Sequence, residues 1–337
     1  MKPLSLVLLA LLFVGCGGSQ AVQKSVFELE PTDRPVYERL ISQADSAVRY
    51  FTTFDLTRIA YRVVLPSDGE TKTVVAFIHG TAAQSKLYLP LADSLRERGI
   101  GTALIDLRGH GLSGGTRGDS PTADALVRDV KLFLDTLRRE FPNAKIVLGG
   151  HSLGAGLCLK FVDYFAEKKK LYRPPDGLLL MAGGFLPSDT CSAVEVQERR
   201  KRLSGRAFAR IDGATFAAVL PASIFNLRPQ PIEILLPNDS LAQVAARNGL
   251  LTVRYSMQFL LAAFPADIAQ VYQKLKCPTL LIVGRQDELA RTCDAEYAFK
   301  RLSVEPRELF IVSDANHINV IWKSAGAIAD WLKETVK

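Results

Sequence analysis

The first chemical signal is the pentapeptide Gly150-His151-Ser152-Leu153-Gly154, a G-x-S-x-G with an apolar run, Lys145 to Gly149, before it and an amphipathic stretch after it. A serine forced onto a sharp turn from strand to helix has its hydroxyl exposed above the sheet. The glycines stand where any side chain would clash in so tight a bend. The helix N-terminus beneath adds partial positive charge and free N–H groups, which favour an anionic intermediate. Ser152 is therefore expected to be a nucleophile rather than part of an incidental glycine-rich turn.

A serine hydroxyl is a weak nucleophile near neutral pH and needs a base, and histidine has the pKa for that role. The chain has four, His79, His110, His151 and His317. His151 adjoins the serine and is expected to point away from it. In the order serine, acid, histidine that accompanies this elbow, only His317 follows Ser152. The acid must lie between them to hold the imidazole tautomer and stabilise the imidazolium. Asp287, in Gly284-Arg285-Gln286-Asp287 after the apolar run Thr279 to Val283, fits; Glu288 and Asp314 are its rivals. The oxyanion needs preorganised donors, worth ~2.7–4 kcal/mol each where measured. The backbone N–H of Leu153 is one candidate, and that of Thr81, in His79-Gly80-Thr81-Ala82, is the other. His79 reads as a hydrogen-bonded brace.

These residues need a scaffold of strand ends. From Thr73 the chain alternates short apolar runs with amphipathic helical stretches, as a parallel sheet covered on both faces requires. Strands are expected at Thr73 to Ile78, Gly101 to Ile105, Lys145 to Gly149, Gly177 to Met181, Thr279 to Val283 and Arg307 to Ile311, with Tyr61 to Leu65 as an antiparallel edge. After Ser152, the residues Leu153, Leu157, Phe161 and Phe165 make one apolar helical stripe. The alternation fails between about Phe185 and Ala269, where the periodicity is mostly helical. That reads as an inserted helical cap. Several of its apolar residues, Phe216, Val219, Leu220, Ile224, Phe225, Met257, Phe259, Leu260 and Phe264, are expected to line an acyl channel leading to Ser152.

Two other motifs compete for a role. Gly109, Gly111 and Gly114 spell G-x-G-x-x-G, but a dinucleotide fingerprint opens directly into a helix, and here Gly115 to Pro121 is loop. The run Glu198-Arg199-Arg200-Lys201-Arg202 reads as a solvated helix face, or as a surface that meets anionic headgroups.

The chain of 337 residues is 48% apolar and 23% charged, which excludes disorder, collagen and coiled coil. Its formal charge of +7 is dispersed, so nucleic acid is not an expected partner. Lys2, the apolar run Leu4 to Val14 and then Gly15-Cys16-Gly17 have the layout of a secretory signal. The run is well short of the ~20 residues that span a bilayer. Leu12-Phe13-Val14-Gly15-Cys16 resembles the bacterial lipobox, with Phe13 where Leu is usual, so Cys16 is expected to carry lipid. Attachment would then be through lipid at the bacterial cell envelope, facing the periplasm or exterior. The remaining Cys158, Cys191, Cys277 and Cys293 form no C-x-x-C pair and have no histidines at zinc spacing. No metal or cofactor is expected. The four are taken as thiols, with a Cys277 to Cys293 bridge as a lesser alternative.

The stretch Phe77 to Gly118, with His79-Gly80, Ser85, Tyr88 and Asp106-Leu107-Arg108-Gly109-His110-Gly111-Leu112-Ser113-Gly114-Gly115, resembles the monoacylglycerol lipase and lysophospholipase branch of the α/β-hydrolases. The Ser152 elbow, the Asp287 loop and His317 match the same branch, so the resemblance covers Thr73 to Trp322 and is weakest in the cap. It departs at Ala82-Ala83, where a Gly-Glu pair is common, and at Trp322, where a Glu often follows the histidine. The resemblance implies an α/β-hydrolase fold, a Ser152, Asp287 and His317 triad, and a small amphiphilic ester of glycerolipid or lysophospholipid type as substrate. The expected organisation is a signal at 1–15, a lipidated tether and lead-in at 16–50, core at 51–184, cap at 185–270 and core again at 271–337. A short-chain esterase, thioesterase, peptidase or acyltransferase on the same triad, and a non-catalytic envelope lipoprotein, are the alternatives.

Overall fold

The computed structural model describes residues 24–336 apart from 28–29, 43–47, 68–70, 167, 169–172, 189–190 and 225–226. The expected signal and Cys16 lie outside the described residues, as does all but the end of the tether. In chain order the strands are β1 (Lys24–Ser25), β2 (Val48–Thr52), β3 (Arg58–Val64), β4 (Thr73–Ile78), β5 (Gly101–Ile105), β6 (Lys145–His151), β7 (Gly177–Met181), β8 (Arg206–Ala207), β9 (Ala209–Ile211), β10 (Ile232–Ile234), β11 (Arg254–Tyr255), β12 (Thr279–Gly284) and β13 (Arg307–Val312).

Eight of them form the central sheet, in the order β13-β12-β7-β6-β4-β5-β3-β2. Pairing is parallel from β13 through β5 and antiparallel at β3 and β2. This is the α/β-hydrolase fold, a mostly parallel sheet with helices on both faces. The parallel strands are continuous apolar runs because neither face meets water: β5, β7 and β12 are buried along their whole length. Leu126, Val130, Phe133, Leu157 and Phe161 fill one face. Leu91, Leu95, Ile328 and Leu332 fill the other.

Three expectations need correction. The antiparallel strand expected at Tyr61 to Leu65 is β3, but β2 lies outside it and is the edge. No residue of Val48–Thr52 is fully buried, so the strand carries little apolar signal. There Phe51 stacks on Phe133 at 6.2 Å, while Arg49 pairs with Glu140 on the rim. Secondly, the cap is not wholly helical. Its helices include Ala193–Arg202, Ser240–Arg247 and Met257–Ala263, yet β9, β10 and β11 make an antiparallel three-stranded sheet. Strands this short escape a period-two search. Buried Ile232 and Ile234 flank Glu233, whose carboxylate takes Arg210 and Arg254 from the neighbouring strands.

Thirdly, the cysteines are not all thiols. Cys191 and Cys293 form a disulfide, their Cα atoms 5.3 Å apart, and Cys158 and Cys277 are buried thiols. The bridge ties the start of the cap to the helix Thr292–Arg301 of the core, two segments 102 residues apart that no sequence spacing brings together. Among the described residues no helix is long and apolar enough to cross a membrane.

Candidate active site

Ser152 stands alone between β6 and the helix Leu153–Ala166, with φ at +55°. The tightness of the turn explains its glycines. A Cβ on Gly150 would lie 2.3 Å from the carbonyl carbon of Gly154, and one on Gly154 would lie 2.3 Å from the carbonyl oxygen of Ile78. The Ser152 N–H donates to the Met181 carbonyl at 2.8 Å, which fastens the elbow to β7. Holding a non-glycine residue at positive φ costs on the order of 1–3 kcal/mol. Ala82 and Ala182, also at positive φ, lie on the neighbouring loops. Ala82 occupies the position where the resembled branch commonly has glycine, so backbone strain gathers around this serine.

His317 follows β13, and its Nδ1 lies 2.9 Å from both carboxylate oxygens of Asp287, at the end of β12. Oδ1 of Asp287 also accepts the N–H groups of Leu289 and Ala290 at 2.7 Å, so the carboxylate is fixed before it meets the ring. Its rivals do other work. Glu288 accepts the backbone N–H of His317 at 3.0 Å, and Asp314 is exposed and paired with Lys323. Burial pushes the imidazole pKa down, but the Asp287 carboxylate, by charge and hydrogen bond, and Glu288 push it up further, leaving it above its usual 6.5. With Nδ1 engaged by Asp287, Nε2 is the nitrogen left to exchange a proton with a hydroxyl.

The other three histidines brace the loops. Gly80 N–H donates to the Tyr88 hydroxyl at 2.8 Å, so that hydroxyl donates to His151 Nδ1 at 2.8 Å. His151 Nε2–H is then the donor to the carbonyl of His317 at 2.9 Å. The loop of Gly80, the elbow and the loop of His317 are thereby joined in one hydrogen-bonded chain. A second chain runs in parallel: Ala82 N–H to the Tyr255 hydroxyl at 2.8 Å, Tyr255 to His110 Nε2 at 2.8 Å, and His110 Nδ1 to the Arg108 carbonyl at 3.0 Å. His79 accepts Leu107 N–H at Nε2, 3.0 Å away, and donates from Nδ1 to the Gly80 carbonyl at 2.9 Å. Burial lowers the pKa of all three rings, which keeps them neutral. Sequence reasoning missed the bracing roles of His151, Tyr88, His110 and Tyr255, because the partners are far apart in the chain.

Ser152, His317, Thr81 and Leu153 all line one cavity of about 320 Å³, within the range of small-molecule sites. Phe185, Leu203, Phe208, Ile232 and Ile268 supply apolar wall, and Arg199, Glu288, Arg291 and Asp294 a polar side. Of the residues expected to form the channel, Leu260 and Phe264 line it. Phe259 instead packs fully buried against His110 and Tyr255, Met257 packs against the main core, and Phe216 is 47% exposed. The side chains of Leu220, Ile224 and Phe225 lie outside the described residues. In the basic run, Arg199 turns inward to the carbonyls of Glu288 and Leu289 at 2.7 and 3.3 Å. Among the described residues, the only cluster at metal-ligand spacing is Cys191, Cys293 and Asp294, and its two sulfurs are already bonded to each other. The segment Gly109 to Gly114 folds as a turn whose carboxylate, Asp106, accepts Ser85 and Leu112 N–H groups at 2.7 and 2.9 Å.

A profile of the family described as serine aminopeptidase, S33, matches residues 69–319. An uncharacterized abhydrolase domain-containing protein of Dictyostelium discoideum is 32% identical over 129 residues, 38% of this chain but only 13% of that protein. Human monoglyceride lipase is 25% identical over 272 residues, 74% of this chain and 77% of the relative. The solved structure of a soluble variant of monoglyceride lipase from Saccharomyces cerevisiae, in complex with a substrate analog, superposes with a TM-score of 0.63 at 16% identity, covering 88% of this chain and 97% of that one. At that identity the likeness shows the fold alone.

Proposed function

The chain belongs to the serine aminopeptidase S33 family of α/β hydrolases, and from that membership we propose that it is a serine hydrolase that cleaves carboxylic esters of small amphiphiles through an acyl-enzyme. The observation that carries the reading is the common cavity of Ser152, on its strained elbow, and His317, clamped at Nδ1 by Asp287. In this reading Ser152 Oγ attacks the ester carbonyl while His317 Nε2 takes its proton. Asp287 holds the tautomer and stabilises the imidazolium. The N–H groups of Thr81 and Leu153 receive the oxyanion. His317 returns the proton to the leaving alcohol, and water, deprotonated by the same nitrogen, releases the acid.

An acyl chain suits the apolar wall, and a polar headgroup suits the side formed by Arg199, Glu288, Arg291 and Asp294. The name of the human relative, monoglyceride lipase, points the same way, towards a monoacylglycerol, and a lysophospholipid has the same single acyl chain and polar headgroup. The family description favours a second reading, hydrolysis of an aminoacyl amide. Labelling with a fluorophosphonate tests the nucleophile: wild-type protein takes the probe and Ser152→Ala does not, whereas undiminished labelling of the variant rejects the assignment. A panel from acetyl esters and aminoacyl amides to monoacylglycerols and lysophospholipids then separates the substrates. We further propose that Cys16 is lipidated and holds the enzyme at the cell envelope. Cys16→Ala is expected to leave the membrane fraction or to stay unprocessed, and unchanged attachment refutes the anchor.

A further inference from the structure

The described residues just after the tether do not behave as a solvated tail. Lys24 and Ser25, as β1, pair in parallel with Arg206 and Ala207 of β8 in the cap, and Val26 N–H continues the ladder to the Ala207 carbonyl at 3.1 Å. Ser25 and Val26 are 6% and 4% exposed. Val26 lines the cavity that holds Ser152 and His317. Phe27 lays its ring on the His317 imidazole, centroids 5.5 Å apart and planes within 20°, and meets Phe208 edge-on at 5.6 Å. Its N–H donates to Ser25 Oγ at 3.1 Å, which fixes the turn that presents the ring.

We propose that this N-terminal strand is a working part of the active site, with Phe27 as a positioning residue for His317 and Val26 as a wall that sets which acyl groups fit. The inference rests on the reading of His317 as the base. A ring laid on the face of an imidazole restrains its rotation yet occupies neither nitrogen. Nδ1 stays with Asp287 and Nε2 stays available for the proton. The same contact keeps water off the ring, and among the described residues the His151 ring, at 4.7 Å, is the other aromatic group packed on it. The charged groups that face His317 are Asp287 and Glu288 from the loop after β12, while Arg199, Arg291 and Asp294 line the same cavity. Val26 and Phe27 add no charge, so removing the Phe27 ring takes away the restraint on the imidazole and opens it to water without altering the charges around it.

That gives the test a sign. Burial lowers the imidazole pKa, so opening it to water raises it, and the acid limb of kcat/KM moves to higher pH. The experiment compares full-length Phe27→Ala, Phe27→Leu and Phe27→Tyr on acetyl and decanoyl esters across pH. Phe27→Ala is expected to lose about five- to tenfold in kcat, the size of one aromatic contact, with the acid limb displaced upward. Phe27→Tyr is expected to restore both, and Phe27→Leu to restore the limb but less of kcat. Val26→Trp is expected to cost the decanoyl ester at least tenfold more than the acetyl ester. Wild-type kcat and an unmoved acid limb in Phe27→Ala overturn the proposal; if that variant melts early, wild-type kcat in Phe27→Leu with a wild-type melting temperature overturns it. Fluorophosphonate labelling of Ser152 in the wild type separates the two levels. Its failure rejects the triad itself, whereas normal labelling with indifferent Phe27 variants rejects only the role of the strand.

Discussion

The floor and the roof of the cavity are built differently. The floor is made of strand ends: Ser152, Asp287 and His317 follow β6, β12 and β13, and the loops that carry them are tied to one another by hydrogen bonds through buried tyrosines and histidines. The roof is assembled from short pieces. The helix Ala193–Arg202 has no fully buried residue among its described side chains, and β8 and β11 are two residues long. The roof is itself uneven, because Tyr255, Phe259 and Ala262 are completely buried against the core while the residues around Val194 and Phe216 are exposed. Its first part is held by the Cys191–Cys293 bridge, the contacts of Arg199, and the Ser188 N–H to Asp294 at 2.7 Å. On the proposed reading this division makes chemistry and selectivity separable: the floor would set which bond breaks, and the roof which molecule is presented.

The sharpest way to break that division is to damage the floor alone. Asp287→Asn is expected to lower kcat by about 10⁴, as loss of the orienting carboxylate did in a serine protease, with the melting temperature little changed. Asp314→Asn serves as the control and is expected to be silent; a larger loss there than at Asp287 rejects the assignment. Damage to the roof should read out in stability. The bridged loop spans 102 residues, and opening it with Cys191→Ser and Cys293→Ser together is expected to cost about 2–4 kcal/mol, measured by denaturant titration. An unchanged midpoint would show that the packed half of the cap is sufficient by itself.

Selectivity comes next in size. Each buried methylene contributes ~0.8 kcal/mol, so two further acyl carbons should raise kcat/KM about tenfold until the cavity is full. A rate that is flat beyond the acetyl ester, measured below micelle formation, leaves a short-ester enzyme. The smallest effect is a shift in pH dependence. His317 must be neutral to act, and its pKa is raised, so kcat/KM should rise with pH through a midpoint above 6.5. Glu288→Gln removes one of the charges that raise it and should move that midpoint down while activity persists. A midpoint that stays in place would show that Glu288 acts on the loop and not on the ring.

How much of this was legible depended on whether the constraint was local. Gly150 and Gly154 announce the elbow because a turn that brings a Cβ to 2.3 Å of backbone tolerates nothing else. The six parallel strands are legible because burial on both faces makes each an unbroken apolar word. Asp287 and Glu288 are adjacent in sequence, and only the turn at Gly284 to Ala290 decides that one carboxylate meets the ring and the other the backbone. The pairing of Cys191 with Cys293 is illegible for the same reason as β2: neither leaves a periodic trace. Phe27 gives no signal either, since an aromatic near a terminus is as common over solvent as over a catalytic ring. The tyrosine and histidine chains join residues 63 and 145 positions apart, which no spacing rule reaches.

Those neutral histidines carry a liability towards acid. In the unfolded chain His79, His110 and His151 would take up protons near pH 6.5, whereas in the folded protein burial depresses all three. Below pH 6.5 the unfolded state therefore binds more protons than the native one, and native stability falls with pH until the depressed values are reached. His317 has the opposite shift, so its contribution is complete below pH 6.5 and does not offset the loss. Three such groups give a slope of up to about 4 kcal/mol per pH unit. The same rings that lock the loops in place at neutral pH thus set a lower limit on the pH at which the fold survives: mild acid should silence the site reversibly by protonating His317, and a deeper acid pulse should make the loss irreversible by collapse of the whole site.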